Sequence, residues 1–330
     1  QDVFVVPNAP AQFGVLQGSE NAVVGAYVLG TGETEFVAYS ALEPVTRRLG
    51  GDWGLAQRGA RLFAFSVNGV LEVEFGAGSL TLGDISPLPA NATEWPARGF
   101  DTSPCPDANG EIIGEPSIVL SSAVGVVRLG ENFEMLPALE LGDVHASGCV
   151  RDDNEVMRRA LVDSVELWLE TESGEFARVP SVSSPLGLDF VGQFSSVWAT
   201  PEVALTRLDA RSASVLRPIT VSAATGFGSG LAEPLLAVPL ALEAGDVDGS
   251  STPDDLVALI PFDSQRQALF VALNGRDGNS TAAPFVLDQE FRDPWMVLID
   301  LDRGDGRPDV VIGDRSPEGS SRFLRLQLGR

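Results

Sequence analysis

The sequence contains no lysine, one histidine and two cysteines among its 330 residues, so all 22 of its strongly basic residues are arginines. Without lysine the chain has no Schiff-base chemistry and no phosphate-binding P-loop lysine. With one histidine, His145, it cannot build a zinc site from several histidines, and a Ser-His-Asp triad would have to use that residue. Two cysteines are too few for a disulfide-rich scaffold but enough for one bridge.

Positive charge is scarce and long apolar runs are missing. The chain has 46 acidic residues and a net charge of −24, so its surface repels phosphate, which excludes a nucleic-acid binder that works through a basic face. The most apolar run, residues 235–242, is short and contains Pro239, so no segment predicts a membrane-spanning helix. The 44% of hydrophobic residues is enough for a packed core and excludes a disordered chain.

The local pattern throughout the chain is strand, turn, strand. Residues 61–75 (RLFAFSVNGVLEVEF) alternate on both sides of Asn68-Gly69, which is a strong β-hairpin signal. The 35 glycines and 22 prolines interrupt the chain at short intervals, as many short strands require. The best helical pattern, residues 152–162, fits equally well a loop that runs into a strand. These features predict an all-β protein.

An internal repeat appears near the C-terminus. Residues 244–259 (AGDVDGSSTPDDLVAL) and 298–313 (LIDLDRGDGRPDVVIG) lie 54 positions apart. Each copy has a D-x-D motif, a turn rich in polar residues, an acid nine residues after the first Asp, and an apolar strand. The corresponding acids are Asp246 and Asp300, Asp248 and Asp302, and Asp255 and Asp309.

This unit resembles the FG-GAP/VCBS repeat, the calcium-loop blade of integrin-type β-propellers. The motif is clear in about the last quarter of the chain, where both loops are one residue longer than usual. Weaker copies upstream place unit markers near residues 20, 52, 101, 143, 209, 246 and 300. The resemblance therefore implies a single β-propeller domain over residues 1–330, with seven blades.

The two chain ends are predicted to complete one sheet. The last repeat has strands up to residues 322–328 and lacks its outer strand, whereas residues 2–6 (DVFVV) belong to no repeat. We expect residues 2–6 to pair in the sheet that contains residues 310–312 and 322–328. Such pairing closes the propeller and covers an edge that would otherwise invite aggregation.

The two acidic loops are the best candidates for a binding site. Calcium requires six to eight oxygen ligands on a tight turn, and gathered carboxylates repel one another unless a cation offsets their charge. We predict structural Ca²⁺ sites, with magnesium less favoured because it requires a stricter octahedron. The alternative is that these are solvated turn residues. The predicted metal ligands are Asp246, Asp248, Ser250, Asp255, Asp300, Asp302, Asp305 and Asp309.

Cys105 and Cys149 fall in the first loops of two predicted neighbouring units, and equivalent loops of neighbouring blades lie on one propeller face. A disulfide is therefore expected, with two free thiols as the alternative. His145 lies beside Asp143, but no nucleophile motif surrounds it, so we assign no catalytic residue. Trp53, in GGDWG, is expected to be exposed, and Trp168 to be part of the core.

The function expected from this sequence is that of a non-catalytic β-propeller, a calcium-stabilised binding or assembly module for a protein or glycan partner. The chain opens without the basic and apolar regions of a signal peptide, so either the protein never had one or it has been removed, and we expect a mature chain after its removal. The predicted location is then secreted, periplasmic or on the cell surface. Two alternatives remain open: a propeller-fold polysaccharide lyase or hydrolase, and a decorating subunit of an extracellular appendage or envelope complex.

Overall fold

The computed structural model describes most of the first third of the chain and shorter stretches of the rest. The described residues are 2–7, 11–18, 20–41, 43–89, 97–105, 114–122, 125–137, 139, 144–151, 157–163, 167–171, 175–178, 196–198, 205–209, 214–222, 226–229, 240–245, 247, 255–263, 266–272, 285–287, 290–292, 294–302, 307–314 and 320–327. Within them every regular element is a β-strand.

The described strands number 27. In chain order they are β1 (Asp2–Pro7), β2 (Ala11–Leu16), β3 (Ala22–Val28), β4 (Glu33–Tyr39), β5 (Val45–Gly50), β6 (Gly54–Arg58), β7 (Arg61–Ser66), β8 (Gly69–Gly76), β9 (Ser79–Leu82), β10 (Arg98–Asp101), β11 (Ile118–Ser122), β12 (Gly125–Leu129), β13 (Val144–Arg151), β14 (Met157–Asp163), β15 (Leu167–Glu170), β16 (Phe176–Arg178), β17 (Ser196–Trp198), β18 (Leu205–Asp209), β19 (Ser214–Ser222), β20 (Gly226–Ser229), β21 (Ala241–Gly245), β22 (Asp255–Pro261), β23 (Gln267–Ala272), β24 (Phe285–Leu287), β25 (Pro294–Ile299), β26 (Asp309–Asp314) and β27 (Ser320–Gln327).

These strands form seven sheets in the described part of the chain. Six sheets follow the sequence, in the orders β2-β3-β4-β5, β6-β7-β8-β9, β10-β11-β12, β13-β14-β15-β16, β17-β18-β19-β20 and β21-β22-β23-β24. The seventh has the order β1-β27-β26-β25, so it combines both ends of the chain. The segment at 152–162, which was ambiguous in sequence, contributes strand β14.

The predicted hairpin at residues 61–75 is confirmed. Strands β7 and β8 pair with Ser66 opposite Gly69, so the two residues between the strands are Val67 and Asn68. Gly69 begins β8 with φ +136°, a conformation that glycine adopts readily and other residues rarely do.

The core of the second sheet explains why its strands are apolar on both faces. On β7, Leu62 and Ala64 belong to one buried cluster, shared with sheet β2-β3-β4-β5, whereas Phe63 and Phe65 belong to another, shared with β10-β11-β12. Successive residues of a strand point to opposite faces, so a strand buried on both sides is apolar at every position.

The predicted pairing of the two chain ends is also confirmed. Strand β1 runs antiparallel to β27, with Asp2 opposite Arg325 and Pro7 opposite Ser320. Strand β27 pairs on its other side with β26, so β1 is the fourth strand of the last sheet. The number of blades and the closure of the propeller remain predictions.

The chain divides into two compact units. The first comprises Gln1–Pro104, Gly114–Val144 and Ile299–Gly329, and the second comprises Cys105–Ile113, His145–Leu298 and Arg330. The prediction of a single domain over residues 1–330 is not tested by this division and stays a prediction. No described helix is long and apolar enough to span a membrane.

Trp53 is the clearest correction to the sequence-based expectations. It was expected to be exposed, but its side chain is only 2% exposed and joins the core shared by the first two sheets. Its indole Nε1 donates to the carbonyl of Gly50 at 2.9 Å, and its backbone N–H donates to Thr34 Oγ1 at 2.9 Å. The glycines before it let the chain turn sharply, and the indole then folds back against the sheet.

Candidate functional site

The acidic loop of the last sheet connects β25 to β26. Strand β25 ends at Ile299 and β26 begins at Asp309, and in the preceding sheet β21 ends at Gly245 and β22 begins at Asp255. The end of the first strand and the start of the second are each 54 residues apart in the two sheets, which is the offset of the sequence repeat. The two acidic loops therefore occupy equivalent positions, between the first and second chain-consecutive strands of their sheets.

The other unit markers are less uniform. Those near residues 20 and 101 also follow the first strand of a sheet, but the markers near 52 and 143 precede β6 and β13, and the marker near 209 ends β18. These last three markers therefore do not identify loops equivalent to the two acidic ones.

An arginine binds the acids of the last loop. Arg325 Nη2 donates to Asp309 Oδ2 at 2.7 Å and to Asp302 Oδ2 at 3.1 Å. The backbone N–H of Leu301 donates to the same Asp309 oxygen at 3.3 Å. One carboxylate oxygen of Asp309 thus receives hydrogen bonds from both the loop and the neighbouring strand.

Strand register explains how Arg325 reaches the loop. Val311 lies opposite Arg325, and Asp309 lies opposite Gln327. Asp309 and Arg325 are therefore diagonal neighbours on one face of the sheet, a separation that a long side chain spans. The sequence analysis assigned no role to Arg325, because its approach to Asp309 depends on the register of β26 and β27.

Arg325 forms two ion pairs, an arm to Asp309 and an arm to Asp302, and the two contribute differently to stability. The side chains of Asp309 and Arg325 are 6% and 10% exposed, whereas that of Asp302 is 36% exposed. Removing one partner of a buried pair costs on the order of 3–5 kcal/mol, but an exposed pair contributes about 0–1 kcal/mol. The Asp309 arm therefore holds the loop, and the Asp302 arm adds little.

Burial acts on both charges of the Asp309 arm. It raises the pKa of Asp309 above its usual range, although the hydrogen bond and the positive charge of Arg325 act in the opposite direction. Burial also opposes the charged form of Arg325, but the two carboxylates outweigh it and raise the pKa of the guanidinium. The Nε–H of Arg325 is buried without a hydrogen-bond partner, so the guanidinium is only partly satisfied.

A residue beside the first sheet, in the same compact unit of the chain, also holds the acidic loop of the last sheet. Asn21, just before β3, donates from Nδ2 to the backbone carbonyl of Asp300 at 2.7 Å. This hydrogen bond spans 279 residues of sequence, so no local pattern predicts it.

The predicted calcium ligands are only partly described. Asp300, Asp302 and Asp309 lie in the described residues, whereas Asp246, Asp248, Ser250 and Asp305 lie outside them; Asp255 begins β22, but its side chain is also outside. Over the described residues no three acids, histidines or cysteines are grouped so as to hold a metal. In the last loop, the guanidinium of Arg325 already binds two of the predicted ligands, which fits a metal ion poorly.

The two predicted disulfide partners occupy different kinds of position. Cys105 follows β10, is 8% exposed and is not a free thiol. Cys149 lies within strand β13 rather than in a loop, as does His145, and both side chains are outside the described residues. The Cys105–Cys149 bridge therefore stays a prediction.

Comparison with known proteins identifies the fold. No protein-family model and no curated protein matches the chain. Among solved structures, BBS1N in complex with ARL6DN matches with 10% identity and a TM-score of 0.54, over 100% of this chain and 96% of that one. Apo AztD from Citrobacter koseri matches with 10% identity and a TM-score of 0.44, over 98% and 94%. A quinoprotein alcohol dehydrogenase-like protein from Bacteroides thetaiotaomicron matches with 8% identity and a TM-score of 0.46, over 84% and 64%.

The chain is thus an all-β protein of the β-propeller fold, as the sequence predicted. The antiparallel four-stranded sheets, formed mostly from consecutive strands, agree with this assignment. Membership of the FG-GAP/VCBS family stays a prediction.

Proposed function

We propose that this chain is a non-catalytic binding or assembly module that presents a rigid β-propeller surface to a protein partner. The observation that carries the proposal is a set of partly buried polar side chains that bind backbone groups of neighbouring sheets. Polar groups used in this way stiffen the scaffold, and a rigid scaffold positions surface loops for recognition.

Two glutamines of the first compact unit show how polar side chains bind backbone groups of a neighbouring sheet. Gln12, on β2, donates to the carbonyl of Ala97 at 3.0 Å and accepts from the N–H of Leu55 at 2.7 Å. Gln57, on β6, accepts from the N–H of Val15 at 3.0 Å. Together the two carboxamides connect the first sheet to β6 and to the chain just before β10.

The structural comparison supports the choice of a protein as the partner. BBS1N, which shares the fold over the whole of this chain, is described as a complex with ARL6DN. A glycan partner is the second possibility, and cleavage of that glycan would make the chain a lyase or hydrolase.

The proposal places the protein outside the cytoplasm, secreted, periplasmic or on the cell surface. The support for this location is the predicted Cys105–Cys149 bridge, which would require an oxidising compartment. Non-reducing peptide mapping of protein from its native compartment should yield one cross-linked peptide. Two alkylated free thiols would contradict the location.

Calcium remains part of the proposal for the Asp246 loop, the acidic loop between β21 and β22. Its support is the carboxylate spacing of Asp246, Asp248 and Asp255, with Ser250 as a further oxygen ligand. Calcium bound there would stabilise the folded chain by mass action and would leave partner binding to other surfaces.

The binding proposal is tested by affinity capture from the native source, followed by reconstitution with the captured protein. An unrelated propeller of similar charge serves as the matched bait. A saturable complex of fixed stoichiometry between the two purified proteins supports the proposal. Release of sugar products from polysaccharides, with no saturable protein complex, would contradict it and establish the enzymatic alternative.

A further inference from the structure

We propose that Arg325 is the built-in counter-ion of the Asp300 loop, the acidic loop between β25 and β26. In this proposal the arginine holds the loop instead of calcium. The inference goes beyond the proposed function, because it concerns how the last sheet balances its charge and does not depend on any partner. It departs from the sequence resemblance, which assigns a metal to this loop.

One oxygen of the Asp309 carboxylate already has two hydrogen-bond donors. Its Oδ2 accepts from Arg325 Nη2 at 2.7 Å and from the N–H of Leu301 at 3.3 Å. A carboxylate oxygen that already receives two donors has little capacity left for a cation. A cation on that oxygen would also lie close to the positive guanidinium, which would repel it.

Arg325 is held in place within the last sheet. Strand β27 lies between β26 and β1, with Val311 opposite Arg325 on one side and Asp2 opposite it on the other. Arg325 is 9% exposed, so its charge is held inside the sheet and is not free to move into solvent. Asp302 and Asp309 therefore share one fixed positive charge.

The two copies of the repeat differ at the position of Arg325. Val257 lies opposite Val271 in the preceding sheet, and both positions are 54 residues before Val311 and Arg325. The earlier copy of the repeat therefore has an apolar residue where the later copy has the arginine. Any need for a metal in this repeat therefore falls on the Asp246 loop, whose sheet carries Val271 at the position equivalent to Arg325.

The test measures calcium stoichiometry and thermal stability on the full chain, prepared with chelator and then titrated with CaCl2. The variants are Arg325→Met, which removes the charge, Arg325→Lys, which keeps it, and Asp300→Asn and Asp246→Asn as a matched pair. We expect no more than one calcium per wild-type chain, with any bound calcium lost in Asp246→Asn and kept in Asp300→Asn. Arg325→Met should melt at least about 5 °C lower in chelator, and Arg325→Lys should recover part of that loss.

Three results would overturn the inference. The first is a calcium ion that Asp300→Asn abolishes, and the second is an Arg325→Met chain that is as stable as wild type in chelator. The third applies if Arg325→Met does not fold: the wild-type and Asp300→Asn titrations alone then decide, and two calcium ions per wild-type chain contradict the proposal. None of these readouts involves a binding partner, so failure here is distinct from failure of the proposed function.

Discussion

Arg325 and Val271 occupy equivalent positions in two sheets that repeat at 54 residues: Arg325 lies opposite Val311, and Val271 lies opposite Val257. The two acidic loops have nearly the same spacing of aspartates. Arg325 binds two acids of the later loop, whereas the equivalent position of the earlier sheet holds Val271. The sequence resemblance predicts a metal in both loops. The strand register distinguishes the two sheets, because it places a positively charged residue at one position and an apolar residue at the equivalent position of the other.

The first prediction concerns Arg58, which is 5% exposed. Its guanidinium carbon lies 4.5 Å from the centroid of the Phe63 ring and 4.9 Å from that of Phe133, and Nη1 donates to the carbonyl of Glu131 at 2.9 Å. Arg58→Ala removes the stacking and leaves carbonyl groups unpaired, so we expect the free energy of unfolding to fall by about 1–3 kcal/mol.

Arg61 provides the matched control for Arg58. It is exposed and pairs with Glu72 through Nε at 2.6 Å, so Arg61→Ala should cost about 0–1 kcal/mol. Urea denaturation of both variants measures the difference. Equal losses of stability would contradict the structural role of Arg58.

The second prediction concerns the close approach of β10 to β6. A Cβ added at Gly99 would lie 2.0 Å from the Cβ of Ala56 and 3.0 Å from the carbonyl oxygen of Leu55. Gly99→Ala should therefore force the two strands apart and destabilise the protein by about 1–3 kcal/mol. Gly30→Ala is the control, because nothing lies within 4 Å of its added Cβ. Indistinguishable thermal midpoints for the two variants would show that the strands are farther apart.

The third prediction uses the only two tyrosines of the chain, Tyr27 and Tyr39. Their hydroxyl oxygens are 2.9 Å apart, and each side chain is 1% exposed. Burial raises the pKa of Tyr27 to about 12 and that of Tyr39 well above its usual range. The folded chain therefore keeps these protons after the unfolded chain has lost them, near pH 10.

The sign of the pH dependence follows from these raised pKa values. The stabilisation is complete below about pH 10 and is lost as the pH rises from there towards about 12. Tyrosinate absorbance should stay low in native protein near pH 10 and rise with a normal midpoint in denaturant. The double variant Tyr27→Phe, Tyr39→Phe should lose this alkaline fall in stability. Two tyrosines that titrate normally in native protein would refute the buried pair.

Much of the fold could be predicted because strands and turns leave local patterns. The alternation in residues 61–75 predicted the β7–β8 hairpin, and the acidic repeat predicted two equivalent loops at the correct offset. The unclaimed apolar residues 2–6 predicted the pairing of β1 with β27. Each of these signals depends on residues that are close in sequence or on an internal comparison.

The rest of the site could not be predicted, because it depends on strand register and long-range packing. Arg325 meets Asp309 only because β26 and β27 pair with Val311 opposite Arg325. The hydrogen bond from Asn21 to Asp300 connects residues from the two ends of the chain. Trp53 lies in a glycine-rich turn, and its burial depends on packing against the core that the first two sheets share.

The central structural claim is that the N-terminal strand completes the last sheet. A cross-linking experiment tests it most directly, because Val6 lies opposite Ser321 and Pro7 lies opposite Ser320. Directly opposed residues of antiparallel strands have Cα atoms about 4.5–5.5 Å apart, which is within the range of a disulfide. Ser320 lies one residue from Ser321 along β27 and is opposite Pro7 instead of Val6, so it provides the matched control.

The measurement is non-reducing peptide mapping of two double variants after mild oxidation. The account predicts an intramolecular disulfide in the Val6→Cys, Ser321→Cys chain and none between the new cysteines of the Val6→Cys, Ser320→Cys chain. Equal cross-linking of both pairs, or no cross-link in the first, would contradict the pairing of β1 with β27.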